Sequence, residues 1–231
     1  MPKHVAIILD GNRRLAKRLV AQPWQGHAWG AKKVKELLKW VKETEIKYVT
    51  LYSFSVQNFK RPKKEFDYLM RLFEKEFSAI TNPNHEAHKY KVRVRAIGRI
   101  NLFPKKVQNA IAAAEAATKK YNKYFLNIAV AYGGQEEITD AMVKIAKKVA
   151  TGLKLEQINE KMIKESLYTN GIPYPDLIIR TGGEKRLSNF LLWQSAYSEL
   201  YFCEKMWPEF EKKDFLEAIG EFQARQRRFG R

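Results

Sequence analysis

Cysteine is nearly absent: Cys203 is the one thiol in 231 residues, so no disulfide can form within the chain. It lies in an apolar stretch, Leu200–Cys203, and reads as a buried structural thiol compatible with a cytoplasmic protein. No apolar run approaches the ~20 residues that a membrane-spanning helix needs. Met1-Pro2-Lys3-His4 leads directly into the first apolar run, which leaves no room for a signal peptide. Neither a Walker A loop nor a Gly-x-Gly-x-x-Gly fingerprint occurs, which argues against the usual nucleotide cradles. Internal repeats and low-complexity tracts are also missing. Pro and Gly mark turns rather than a boundary, so residues 1–231 read as one domain.

Acidic residues are scarce. Lys and Arg number 43 against 25 Asp and Glu, a net charge of +18. Such an excess attracts polyanions: nucleic acid, an anionic membrane surface or a phosphorylated substrate. The lysines are scattered along helical segments, with no aromatic-plus-basic signature, so a phosphorylated substrate is favoured and nucleic acid is not. Hydrophobic residues at 45% and aromatics at 13% describe a globular chain able to bury a sizeable core.

What is present is organised around His4–Arg14. Val5–Leu9 is a short β-branched apolar run, the pattern of a parallel strand buried on both faces. Asp10 follows where that strand would emerge, and in open α/β sheets this edge binds ligands. Gly11 and Asn12 suit a tight turn close to an anion, and Arg13 and Arg14 supply forked donors for phosphate oxygens. Together they describe a Mg²⁺-diphosphate site in which Asp10 holds the cation. An ordinary Asp-Gly turn with solvated arginines is the other reading of this stretch.

Further strands are expected at 48–55, 91–98, 125–132, 176–180 and 200–203. Leu15–Gln25 reads as a mobile segment, and Gly26-His27 as the start of an amphipathic helix that would aim donors at an anion. The exit of the second expected strand carries Ser55, Asn58 and Arg61. The helix after Pro62 has a bulky stripe, Phe66, Leu69, Met70, Phe73 and Phe77, suited to core packing or to the wall of an apolar pocket. His85 and His88 lack a zinc-type pattern and read as exposed. Ile138, Ala141, Met142 and Ile145 form the inward stripe expected after Gly133-Gly134. Arg180-Thr-Gly-Gly-Glu-Lys-Arg186-Leu-Ser188 places two arginines and a serine around a double glycine, again an anion cradle. Alternation of strands and helices implies an α/β fold with a mostly parallel six-stranded sheet flanked by helices, and the polar clusters at strand exits can converge on one edge.

Taken in order, His4–Arg14, Gly26-His27, Tyr52–Pro62, Asn127–Gly134 and Arg180–Tyr201 resemble the cis-prenyltransferase family, over nearly the whole chain. The resemblance implies a homodimer of Rossmann-like subunits, each with an apolar tunnel. It implies Mg²⁺-dependent condensation of isopentenyl diphosphate with an allylic diphosphate to form a cis double bond. By position, Asp10 and Glu199 would serve Mg²⁺; Gly11, Asn12, Arg13, Arg14, Leu15 and His27 the allylic diphosphate; and Arg180, Arg186 and Ser188 the isopentenyl diphosphate. Ser55, Asn58, Phe59 and Arg61 would lie between, with Asn58 taking part in proton removal, while Arg228-Phe229-Gly230 matches the family's terminal R-x-G. Ser53, Leu69, Met70 and Phe73 are the expected tunnel liners. A long apolar product and a cationic surface are compatible with peripheral membrane contact. Two departures stand out: Leu15 replaces an aromatic residue, and Pro23 replaces an arginine for which Lys17 or Arg18 could substitute. They keep open an irregular, non-head-to-tail coupling. A subunit of a two-component enzyme is the other alternative, although such partners typically lack the aspartate and arginine cluster found here.

Overall fold

Strand β1 (His4–Ile8) is buried at every position in the computed structural model, which describes residues 1–225. Its alternating side chains serve two cores. Val5 and Ile7 join the larger layer with Leu37, Leu51, Leu69, Phe77 and Phe215. Ala6 and Ile8 join Tyr52, Tyr132 and Phe190 on the opposite face. A strand covered on both sides has no need of a polar face, which is why the run is continuously apolar. Truncating a residue such as Ile7 to alanine would cost about 2–5 kcal/mol.

The remaining strands are β2 (Tyr48–Ser55), β3 (Val92–Ile97), β4 (Tyr124–Tyr132), β5 (Leu177–Arg180) and β6 (Glu199–Phe202). They form one sheet in the order β3-β4-β2-β1-β5-β6, with every pairing parallel. The sheet is therefore more regular than the mostly parallel one expected. Register sets Ile8 of β1 level with Tyr52 of β2 and Arg180 of β5, so three neighbouring strands end at one edge.

The helices are α1 (Asn12–Arg18), α2 (Pro23–Glu43), α3 (Lys63–Ile80), α4 (Glu86–Lys89), α5 (Lys105–Thr118), α6 (Gly134–Ala150), α7 (Glu160–Ser166) and α8 (Lys212–Ala224). The expected mobile segment at 15–25 is instead mostly helical. Leu15 and Ala16 are buried and anchor α1, and Pro23 is the first residue of α2 rather than the end of a loop. Gln25 folds back to accept the Gln22 N–H at 2.8 Å, closing the cap. His27 therefore lies a turn inside α2, not at its first position.

Two other expectations are corrected by packing. His85 and His88 are half-buried and structural. The His85 ring accepts the Ala87 N–H at 3.1 Å to cap α4, and His88 bridges the Ile80 carbonyl at 2.7 Å and the Tyr121 hydroxyl at 3.0 Å. Met142 is 65% exposed, and the buried positions of α6 are Gly134, Glu137, Ala141 and Ile145. The buried Glu137 carboxylate is satisfied by the Tyr132 hydroxyl and the Gln194 amide, from both of which it accepts.

Candidate active site

The turn after β1 is held from three sides. The Asp10 carbonyl accepts from the Thr181 hydroxyl and the Trp207 N–H, both at 2.8 Å. Gly11 has φ +109°, and a Cβ there would meet that of Met206 at 2.6 Å. Only glycine fits a turn of that hand pressed against a neighbouring chain segment. Gly26 plays the matching part on α2: a Cβ would come within 2.0 Å of the Asn12 carbonyl, so α1 and α2 meet nearly backbone to backbone.

With the turn fixed, the Asp10 carboxylate faces β5. Its Oδ2 accepts from Arg180 Nη2 at 2.8 Å, and its Oδ1 lies 3.3 Å from Arg14 Nη2. Arg180 is 4% exposed and also donates to Ser188 Oγ at 2.7 Å and to the Arg186 carbonyl. One guanidinium thus ties Asp10 to the whole loop after β5. That loop is backbone-strained, with Ser188, Asn189 and Leu191 at φ +48°, +66° and +47°. Arg186 itself stays largely exposed and pairs with Glu184, which also approaches Arg14 at 3.7 Å.

A second cluster gathers the other expected cations. Arg13 (α1), His27 (α2) and Arg61, just before α3, converge on Glu65 Oε1, at 3.5, 3.0 and 3.2 Å. Glu65 is buried and was not singled out from the sequence. Its signal, the i,i+4 spacing from Arg61 in the first turn of a helix, reads equally well as an ordinary solvated pair. Burial pushes the His27 pKa below its ordinary value; the Glu65 hydrogen bond works against this and the Arg61 charge adds to it.

The β2 exit forms a 3-10 turn over Val56–Lys60. Asn58 Oδ1 accepts the Ser55 N–H at 3.0 Å, and the Ser55 hydroxyl accepts in return from the Asn58 backbone, a reciprocal cap. One lone pair of the Asn58 carbonyl oxygen is thereby used, and Nδ2 supplies its donors. A neutral amide is by itself a poor base for a carbon-bound proton. Phe59 joins an aromatic cluster with Phe54, Phe66 and Phe103 at ring separations of 5.1, 5.7 and 5.8 Å.

Two cavities open on this constellation. A polar one of about 680 Å³ is lined by Asp10–Arg14, Lys17, Pro23, His27 and Arg61 among others. An apolar one of about 150 Å³ runs between α2, α3 and the sheet, with Ser53, Leu69, Phe73, Phe77, Leu126 and Ile128 in its wall. Leu9, Asn12 and His27 line both. Ser53, Leu69 and Phe73 thus fall where expected, whereas Met70 does not line the apolar cavity. Leu15 is buried and lines neither, packing inside α1. Lys17 does reach the polar cavity, while Arg18 turns away to Glu209.

Glu199 is not brought to this place within the chain. It begins β6, level with Leu177, whereas Asp10 follows the end of β1 and Arg180 ends β5. Parallel strands put starts and ends on opposite edges, and Glu199 instead accepts from Arg225 at 2.8 Å. The Arg228-Phe229-Gly230 ending lies outside the described residues. Among the described residues no group of three or more His, Cys, Asp or Glu side chains could hold a metal. A lone, 30% exposed Asp10 carboxylate open to an anion-sized cavity still suits Mg²⁺, which usually takes one or two carboxylates and completes its shell with phosphate oxygens and water.

Residues 8–230 match the family model described as "Putative undecaprenyl diphosphate synthase". The chain belongs to this family, the cis-prenyltransferases. Among its relatives, the tritrans,polycis-undecaprenyl-diphosphate synthase (geranylgeranyl-diphosphate specific) of Methanocaldococcus jannaschii is 58% identical, aligned over all of this chain and 83% of its own length. The protein of the same name from Pyrococcus horikoshii is 53% identical, over all of this chain and 88% of its own. Two solved structures superpose over the whole chain. Lavandulyl diphosphate synthase from Lavandula x intermedia, in complex with dimethylallyl diphosphate, has TM-score 0.94 and 38% identity and is covered over 98%. A probable undecaprenyl diphosphate synthase from Campylobacter jejuni has TM-score 0.82 and 34% identity and is covered over 99%. As a cis-prenyltransferase this chain is an enzyme of prenyl transfer, condensing prenyl diphosphates.

Proposed function

We propose that this cis-prenyltransferase adds isopentenyl diphosphate head-to-tail to geranylgeranyl diphosphate, making a long polyprenyl diphosphate with cis double bonds. The observation that carries the reading is that Arg14 and Arg180 meet Asp10 at a cavity that Arg13, His27 and Arg61 also line, beside an apolar cavity. Arg13, Arg14, His27 and Arg61, with the Gly11 and Asn12 turn, bind the allylic diphosphate. Arg180, Arg186 and Ser188 bind the isopentenyl diphosphate. The apolar cavity is the start of the tunnel that receives the growing chain. The geranylgeranyl primer is taken from the names of relatives aligned over the full chain at 53–58% identity.

In the reaction the allylic C1–O bond breaks and diphosphate departs, C4 of the isopentenyl double bond attacks C1, and the C2 proton of the isopentenyl unit passes to a diphosphate oxygen. Charge develops on the departing diphosphate, where Arg13, Arg14 and Arg61 are already in place to stabilise it. Asn58 Nδ2 donates to one of the diphosphates and helps hold the two reactants in line. The apolar cavity beside the diphosphate site, with Leu9, Leu69 and Phe73 in its wall, keeps water from the cationic carbon. Asp10 is the residue that would hold Mg²⁺, and the ion when bound offsets diphosphate charge as it builds. We assign the working form as a homodimer, as the family resemblance implies, at the cytoplasmic membrane surface, because the product is apolar and the chain is cationic. No helix among the described residues is long and apolar enough to cross a membrane.

Identity of 58% over all of this chain to a polycis-undecaprenyl synthase favours regular over irregular coupling, and the intact Asp10 and arginine set argues against a non-catalytic partner subunit. The deciding experiment supplies Mg²⁺, labelled isopentenyl diphosphate, and dimethylallyl, geranyl, farnesyl or geranylgeranyl diphosphate in turn, and sizes the products. A regular ladder with geranylgeranyl diphosphate as the best primer is expected. No incorporation with any primer, from a folded protein, would sink the reading.

A further inference from the structure

Behind the allylic wall of the polar cavity sits Glu65, which does not line the cavity itself. It is 3% exposed, yet its Oε1 lies 3.0 Å from His27 Nε2, 3.2 Å from Arg61 Nη1 and 3.5 Å from Arg13 Nε. Each of those three side chains does line the cavity, and each comes from a different element. We propose that Glu65 is a positioning residue for the allylic diphosphate: one buried carboxylate oxygen clamps Arg13, His27 and Arg61 from behind and sets the spacing at which they meet the substrate. This rests on the assignment of the polar cavity to the allylic substrate.

A carboxylate close to an anion site repels the anion, so on Coulomb's law alone its loss would tighten diphosphate binding. Held in front, the acid would be a competitor; held behind, it fixes three flexible cationic side chains whose ordering entropy the substrate would otherwise bear. Burial adds weight, since an acid in the first turn of α3 that served only the helix dipole would stay solvated. All three contacts fall on the same oxygen, Oε1: the His27 ring hydrogen-bonds to it, and Arg13 and Arg61 are ion-paired with it.

The test compares the full chain with Glu65→Gln, which keeps volume and removes the charge, and Glu65→Asp, which keeps the charge and shortens the reach. The Michaelis constant for geranylgeranyl diphosphate should rise by about ten-fold or more in Glu65→Gln, with that for isopentenyl diphosphate changing less than about two-fold. Glu65→Asp should lie between the two. Calorimetric binding of inorganic diphosphate should weaken in the same order. Tighter allylic binding in Glu65→Gln, or equal movement of both constants, overturns the clamp. If Glu65→Gln fails to fold, Glu65→Asp decides alone: an unchanged allylic constant overturns the proposal and a selective rise supports it. Wild-type protein that uses no allylic primer would instead count against the parent assignment.

Discussion

Asp10, two residues past the end of β1, and Arg180, the last residue of neighbouring β5, meet at 2.8 Å, a half-buried carboxylate on a buried guanidinium. Because Arg180 also grips Ser188 and the Arg186 carbonyl, this contact joins the turn after β1 to the loop after β5. The two proposed diphosphate subsites therefore share one hinge point, and substitutions there should be felt by both.

Asp10→Ala should abolish turnover, with kcat lower by about a thousand-fold, the scale of losing a central electrostatic group. The loop after β5 keeps its other Arg180 contacts, so the fold should survive. Labelled isopentenyl diphosphate incorporation and a thermal melt check the two halves of this prediction.

Arg180→Lys keeps the charge and loses the fork. A lysine reaches one of the three present partners, so kcat/KM for isopentenyl diphosphate should fall by about a hundred-fold. Steady-state kinetics at saturating allylic primer measures it. A lysine variant within two-fold of wild type would show that charge alone suffices.

Asn58 separates cap from chemistry. Asn58→Asp keeps an acceptor for the Ser55 N–H and should hold stability, whereas Asn58→Ala should lose about 1 kcal/mol. Both remove the Nδ2 donor, so both should be nearly inactive. Urea midpoints beside product yields distinguish the two effects.

Phe73→Ala should lengthen the products by opening the apolar cavity, which Phe73 lines. Its ring also packs on Phe54 and Phe103 at 5.9 and 5.8 Å, so a stability loss of about 2–3 kcal/mol accompanies the change. Chromatographic sizing of the ladder gives the answer.

Acid should destabilise the fold through His4. Burial lowers its pKa to about 4, and the neutral ring bridges the Pro173 carbonyl at 2.7 Å and Thr50 Oγ1 at 2.8 Å. Between pH 6.5 and 4 the unfolded chain binds a proton that the native chain refuses, so stability falls as pH drops, by up to about 3 kcal/mol from this group. Urea unfolding from pH 7 to 4.5 should show that slope, and His4→Gln should flatten it.

The strands, their order along the chain and the polar residues at their exits were legible in the sequence, because buried parallel strands are continuously apolar and end abruptly in charge. Tyr48–Ser55 matches its expected bounds, and β1, β3, β4, β5 and β6 lie within one or two residues of theirs. Helix α1 was misread because its short pattern is basic and its stability comes from Leu15 and Ala16 packed in the interior, a tertiary gain that local propensity does not contain.

Sequence alone determined which chemical groups the edge would carry: a carboxylate, forked cations and a tight glycine turn follow from residue types. Only the tertiary structure decided which of them meet. Strand direction put Asp10 and Arg180 together and set Glu199 at the far edge of the same sheet, and burial turned Glu65 from a plausible surface acid into the common partner of Arg13, His27 and Arg61. Spacing along a chain specifies neighbours one helical turn or one strand step apart, whereas contacts such as Asp10–Arg180, 170 residues apart, are set by how the sheet is wound.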